Sequence, residues 1–487
     1  MLDVNVDSQT SAHGVQTVDA EKTAVQIEII GLIKAWSQQP KERWADLRSR
    51  ARTQAANELI AHIRNDLEEL EQKANDRTHK RRQRSGVKFF GAIERFVGDL
   101  LRAKAGKTGP ALIFRSIGKS SFDHDPVKYE TFTKVLKGLK GLDLVSHRKG
   151  QTRFRKMKFD SSDFVSVSLL GRASRFSATG KLLRLAGQYG IGSDNVREHF
   201  APEPPMFPLV LKDFAGGRGP KKAKGRRINF RHTAETRRLE HDIRELNLFL
   251  AGVKLTGGEH EGYIRVFNNN SWKAGGRLYS VGARSYQHNH ETERYKMTIN
   301  NEPVAEIDIK ASQLTIYHAM MDEPLEGSSD LYVRAGLDRW VAKKWVVISF
   351  GNGAPAMKWP DEAVEGYEQH RREHKKETGK ELPALPKAKD VAEKMLETFP
   401  ALEELGYNLT LWADLQFLEA EAVIGTMLIL MRTHSVPSFS MHDGIIVPRS
   451  KADLAQGILK REFHRVIGVQ PVLTVEPDEP QVLATDL

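Results

Sequence analysis

Two aspartates carry the chemical reading of this sequence. Asp308 lies in Val304-Ala305-Glu306-Ile307-Asp308, whose apolar spacing predicts a strand, and helical spacing (Leu314, Tyr317, His318) follows it. Asp443 lies between two short apolar runs in Pro437–Pro448, where His442-Asp443-Gly444 reads as a tight hairpin with a carboxylate at its tip. Each has an ordinary alternative: Asp308 as a helix cap, and Asp-Gly as plain turn chemistry. Together, one Asp on a strand and another on a hairpin suit Mg²⁺, which takes a few carboxylates plus phosphate oxygens and water. A pair of such ions (Mg²⁺ or Mn²⁺) would activate an attacking 3′-hydroxyl and steady a leaving pyrophosphate. Arg339 and Lys343 are four apart, so they share a helix face on which both could meet a triphosphate. A solvated basic face is the alternative there, and Lys344 could stand in for Lys343.

The elements that must position these groups are partly legible. From Lys22 to Lys73, apolar residues three and four apart predict two amphipathic helices, and the basic run His79–Arg84 reads as a solvated linker or a phosphate contact. Tyr129–Leu139 has helical spacing; Leu142–Val145, a basic turn at Arg148-Lys149-Gly150 and a cationic strand at Thr152–Phe159 follow. Helix, strand, basic turn, strand is the outline of a winged helix, which grips duplex backbone; a plain basic hairpin is the alternative. Gly, Pro and Lys crowd residues 215–231, which predicts a linker, and a helix is expected over Thr233–Leu250.

Composition narrows the class. The 487 residues carry 74 Lys+Arg against 63 Asp+Glu, a net +11 (74 − 63), which permits a polyanionic partner. With no cysteine, disulfides, thiolate zinc sites and a cysteine nucleophile are excluded. The absence of a long apolar run or a secretion signal predicts a cytoplasmic protein with no membrane partner.

The two aspartate segments resemble motifs A and C of family A DNA polymerases and the related phage-type single-subunit RNA polymerases. Gly276-Arg277-Leu278-Tyr279 is similar to the segment before motif A in the RNA polymerases. Asp330-Leu331-Tyr332 resembles the element after motif A. Arg339–Lys343, with Phe350-Gly351 beyond, resembles motif B. The resemblance spans roughly 265–475. It implies an α+β fold: a right-hand palm on an antiparallel sheet with helical fingers, after a mainly helical N-terminal region with a winged helix. It implies catalytic, metal-binding Asp308 and Asp443, and nucleotide contacts from Arg339, Lys343, Gln313 and Phe350. Nucleic acid would meet Arg277, Tyr279, Gln416 and His442, with Arg148, Lys149 and Arg153 added from the basic hairpin.

The resulting layout is a disordered tail (1–21), a helical region (22–106), a winged-helix region (107–214), a basic linker (215–231), a thumb-like palm entry (232–300), palm (301–324), fingers (325–409) and palm again (410–487). The implied activity is template-directed transfer of nucleotides to a 3′-hydroxyl by two-metal chemistry, in the manner of a family A DNA polymerase, on a DNA template in replication of a mobile element or phage. A primase or RNA polymerase is the alternative enzyme. A catalytically inactive DNA-binding replication protein is the alternative from another class, supported by Lys310 beside the first aspartate and by Gly444 where the DNA polymerases carry a carboxylate.

Overall fold

A computed structural model describes residues 42–74, 81–106, 111–158, 164–214, 225–282, 284–325, 330–406 and 411–477, with backbone alone over 152–171. The tail, the first amphipathic helix, His79, Lys80 and most of the basic linker lie outside the described residues. The chain forms two compact units that meet in sequence at Pro202/Glu203, each mixing helix and sheet.

The first unit contains β1 (Arg43–Trp44), β2 (Ser49–Ala51), α1 (Gln54–Lys73), α2 (Gln83–Arg102), β3 (Ile113–Arg115), α3 (Tyr129–Gly141), β4 (Val145–Arg148), β5 (Gln151–Lys158), β6 (Phe164–Arg172), β7 (Ser174–Ala178), α4 (Gly180–Gln188) and β8 (Phe200–Pro202). Its main helices, α1, α2 and α3, are longer than its strands. Phe96, Phe132 and Phe176 meet edge-on at its centre, with centroids 5.0 and 5.4 Å from Phe96. Arg81 is no solvated linker residue: its guanidinium donates to Glu71 at 2.6 Å and lies 3.6 Å from the Phe89 ring.

The sheet runs β1-β3-β7-β4, and β5 pairs with β6 beyond it. The basic turn expected at Arg148-Lys149-Gly150 is therefore not where the chain reverses. β4 and β5 form one arm, β6 and β7 the returning arm, with Arg148 opposite Arg175 and Gln151 opposite Arg172. The reason is conformational. A two-residue reversal needs positive φ, and neither Lys149 nor Gly150 has it. A Cβ on Gly150 would fall 2.5 Å from Arg172 O, so this glycine permits the close approach of the arms.

The second unit contains β9 (Leu209–Lys212), β10 (Arg227–Ile228), α5 (Ala234–Leu250), β11 (Leu255–Thr256), β12 (Tyr263–Phe267), β13 (Gly275–Ser280), β14 (Thr298–Ile299), β15 (Glu302–Ile309), α6 (Ser312–Met320), α7 (Arg339–Asn352), α8 (Asp361–Thr378), α9 (Ala388–Thr398), α10 (Leu411–His434), β16 (Phe439–Met441), β17 (Gly444–Pro448), α11 (Ala452–Ile467) and β18 (Leu473–Glu476). α5 begins where Thr233 and Thr236 exchange side-chain-to-backbone hydrogen bonds in a capping box. One sheet runs β10-β9-β12-β13. In the other, β15 lies between β17 and β18, antiparallel to both. Leu415, Val423, Met427 and Leu430 of α10 are buried with Ile307, Ile445 and Ile446 in one core. No helix among the described residues is long and apolar enough to cross a membrane.

Candidate active site

The register of β15 against β17 brings the aspartates together. Asp308 stands opposite Gly444, and Ile309 N–H donates to the Asp443 carbonyl at 3.2 Å. Met441 pairs with Gly444, so His442 and Asp443 form the two-residue turn, and His442 takes the left-handed conformation (φ 58°). Glycine at 444 follows from this closeness. A Cβ there would strike Asp308 Oδ1 and lie 2.5 Å from Ile307 O.

The electrostatics follow from crowding. Burial, with Glu306 and Asp443 adding, pushes the Asp308 carboxyl up to about 8, opposed by Arg294 and Lys343. Glu306 is two residues before Asp308 and so shares its face of the strand. Its own charge is met by Arg294, whose Nε and Nη2 donate to the two carboxylate oxygens at 2.9 and 2.6 Å. Period-2 alternation could have flagged Glu306; nothing local could have paired it with Arg294.

Behind the turn, α10 and β13 are joined by a buried ion pair. Arg277 Nε donates to Glu419 Oε1 at 2.9 Å, and Glu419 is 1% exposed. Burial pushes the Glu419 carboxyl up, Arg277 opposes this, and nearby Asp443 adds to it. Arg277 was expected to touch nucleic acid; its guanidinium is instead committed to Glu419, because the alternative is an unpaired buried carboxylate. Arg265 makes the parallel connection from β12 to Glu421. Tyr279, 38% exposed, lies 5.7 Å from the His442 ring, whose pKa is lowered by burial and then by Arg277.

α7 separates the basic candidates. Lys343 is exposed and its charge acts on Asp308, whereas Lys344 lies 5.8 Å from the Trp340 ring beneath it. Arg339 donates to Asp330 at 2.5 Å and lies 5.7 Å from Tyr332. Tyr332 itself was not foreseen as a site residue. It is 6% exposed, and burial with Asp443 pushes its hydroxyl pKa upward. Gln313, in the first turn of α6, and Gln416, on α10, are half-buried. Phe350 cannot make the nucleotide contact that the resemblance implies: it is 1% exposed, packed 5.3 Å from Tyr317 in the core. It shares the Lys343 stripe, but about 10 Å further along the helix that stripe passes beneath α6.

Among the described residues no cluster of three or more His, Asp or Glu could cage a metal. Two neighbouring carboxylates leave most of the coordination sphere to water and phosphate, a donor set that fits Mg²⁺ and excludes soft metals. In the first unit, Arg148 and Lys149 are exposed; the Arg153 side chain lies outside what is described.

No known protein family and no curated protein matches the chain. Among solved structures it is similar to the POL domain of Pol1 from M. smegmatis in complex with DNA primer-template and dNTP. The two share 14% identity with a TM-score of 0.25, over 50% of this chain and 50% of that one. The chain thus spans half the length of that structure, and a likeness this slight carries no argument.

Proposed function

We propose that the second unit is a nucleotidyltransferase that adds nucleotides to a 3′-hydroxyl on a nucleic-acid template, with Asp308 and Asp443 as its metal-holding carboxylates. The observation that carries the reading is the β15–β17 register, which juxtaposes residues 135 positions apart in the chain, with the Lys343 charge acting on Asp308. Two Mg²⁺ or Mn²⁺ ions bound there would supply Lewis acidity at the attacking and leaving oxygens. The chain's own groups do the rest. Lys343 and, once released from Asp330, Arg339 meet the triphosphate; Gln313 and Tyr332 border the nucleotide; His442, Tyr279 and Gln416 border the strand end. The β15–β17–β18 sheet is the palm in this reading, and α7 the fingers helix. In the first unit, the order β3-β7-β4 with α3 ahead of the hairpin supports a winged helix that holds nucleic acid through Arg148, Lys149 and Arg153. Deoxynucleotides are the favoured substrate, ribonucleotides the alternative.

Gly444 does not favour an inactive palm, since a side chain there would displace Asp308. The test is Mg²⁺-dependent incorporation of labelled nucleotide, dNTP and NTP, on primed and unprimed single-stranded DNA. Wild type should incorporate, while Asp308→Ala and Asp443→Ala should lose at least about a hundredfold in rate with nucleic-acid binding retained. Near-native incorporation by either variant removes that residue from the site.

A further inference from the structure

The first unit carries a basic surface that the aspartate chemistry does not use. α3 buries Phe132, Val135, Leu136 and Leu139 on one side. Its outer side carries Lys134, Lys137 and Lys140, all exposed. On and just after the helix, Glu130 faces Lys119 at 3.6 Å, and Asp143 sits in the turn, where its N–H donates to Lys140 O. β4 follows α3 after a short turn and packs against it, which sets the helix lysines beside the hairpin basics; the His147 ring of β4 stacks on Phe176 at 4.8 Å. Between Leu144 and Gln188 the sequence carries two carboxylates, Asp160 and Asp163, which fall between β5 and β6. Its β4–β5 arm carries Arg148, Lys149, Arg153, Arg155, Lys156 and Lys158. The eight residues of β5, paired with β6, span about 26 Å of two-stranded ribbon.

We propose that the outer face of α3 and the β4–β5 arm form one binding surface for duplex DNA, which anchors the protein on double-stranded sequence independently of the aspartate site. The partner is set by shape as well as charge. A B-form major groove admits a helix or a two-stranded ribbon, and this surface offers both side by side. A single strand is held by exposed aromatic platforms, and α3 and β4 present none. The narrow major groove of an RNA duplex shuts a helix out. The proposal extends the reading of Arg148, Lys149 and Arg153 as nucleic-acid contacts to the lysines of α3, and it specifies the duplex.

The experiment uses the full chain without divalent metal or nucleotide, and titrates a labelled DNA duplex, a single strand of the same length and an RNA duplex of the same sequence across a salt series. Wild type should bind the DNA duplex at least about tenfold more tightly than either competitor. Lys134→Glu/Lys140→Glu and Arg148→Glu/Lys149→Glu should each reduce that affinity, and each should lower the salt slope by about 1.8, two contacts at roughly 0.9. Thermal midpoints should be unchanged, since all four side chains are exposed. Equal or tighter binding of single strand or RNA duplex overturns the proposal, and so does wild-type duplex affinity in the Lys134/Lys140 variant. Asp308→Ala should bind the duplex as wild type does. If incorporation is absent from wild type while duplex binding responds as stated, only the nucleotidyltransferase reading fails.

Discussion

Asp308 is the residue at which the site's chemistry can be titrated. In the metal-free protein its carboxyl is pushed up to about 8, by burial first and by Glu306 and Asp443 next. The sign follows from proton counting. Between the unfolded value, 3.8, and the folded value, the native state holds a proton that the unfolded state has lost, so stability falls as pH rises through this window. Asp308→Asn carries no such proton. Its thermal midpoint relative to metal-free wild type should therefore rise from pH 4 to 8 and level off above. A pH-independent difference between the two would mean that Asp308 titrates normally. Mn²⁺ binding to wild type should strengthen over the same window, because occupation of the site must displace that one proton.

At the scale of elements, the weak point is where α10 meets β13. Arg277→Ala leaves Glu419, 1% exposed, without its cation, a loss on the order of 3–5 kcal/mol measured by denaturant unfolding. Replacing both partners, Arg277→Met with Glu419→Met, should recover most of it, since neither buried charge remains. A single Arg277→Ala that costs less than about 1 kcal/mol would show the pair to be well solvated. Gly444→Ala acts on the neighbouring ladder. Its methyl has no space against Ile307 O, so a loss of about 1–3 kcal/mol is expected, along with loss of Mn²⁺ binding.

Over the whole molecule, the basic groups fall into two compact units, Arg148 and Lys149 in the first and Lys343 in the second. Their defects should separate. Charge reversal at Arg148, Lys149 and Arg153 should weaken nucleic-acid binding and flatten its salt dependence, without raising the nucleotide KM at saturating template. Lys343→Ala should raise the nucleotide KM or lower kcat and leave template affinity alone. Paired titrations on each variant, one in template and salt and the other in nucleotide, check this. Identical defects would merge the two roles.

Local pattern determined a good deal of this protein. Helical spacing marked α1, α3 and α5, and the apolar runs around His-Asp-Gly marked the β16–β17 hairpin, because side-chain period and turn chemistry act over a few residues. The same locality exposed Asp308 and Asp443 as candidates. Partnership was decided only by tertiary structure. Nothing near Arg277 in sequence announces Glu419, 142 positions on, and nothing near Lys149 shows that the arm continues instead of turning back. Lys343 and Lys344 are equivalent as neighbours in a chain; packing on Trp340 distinguishes them. Phe350 shares the Lys343 stripe, yet α6 closes over it. Register and burial depend on which distant surfaces pack together, and a sequence window of a few residues contains no such information.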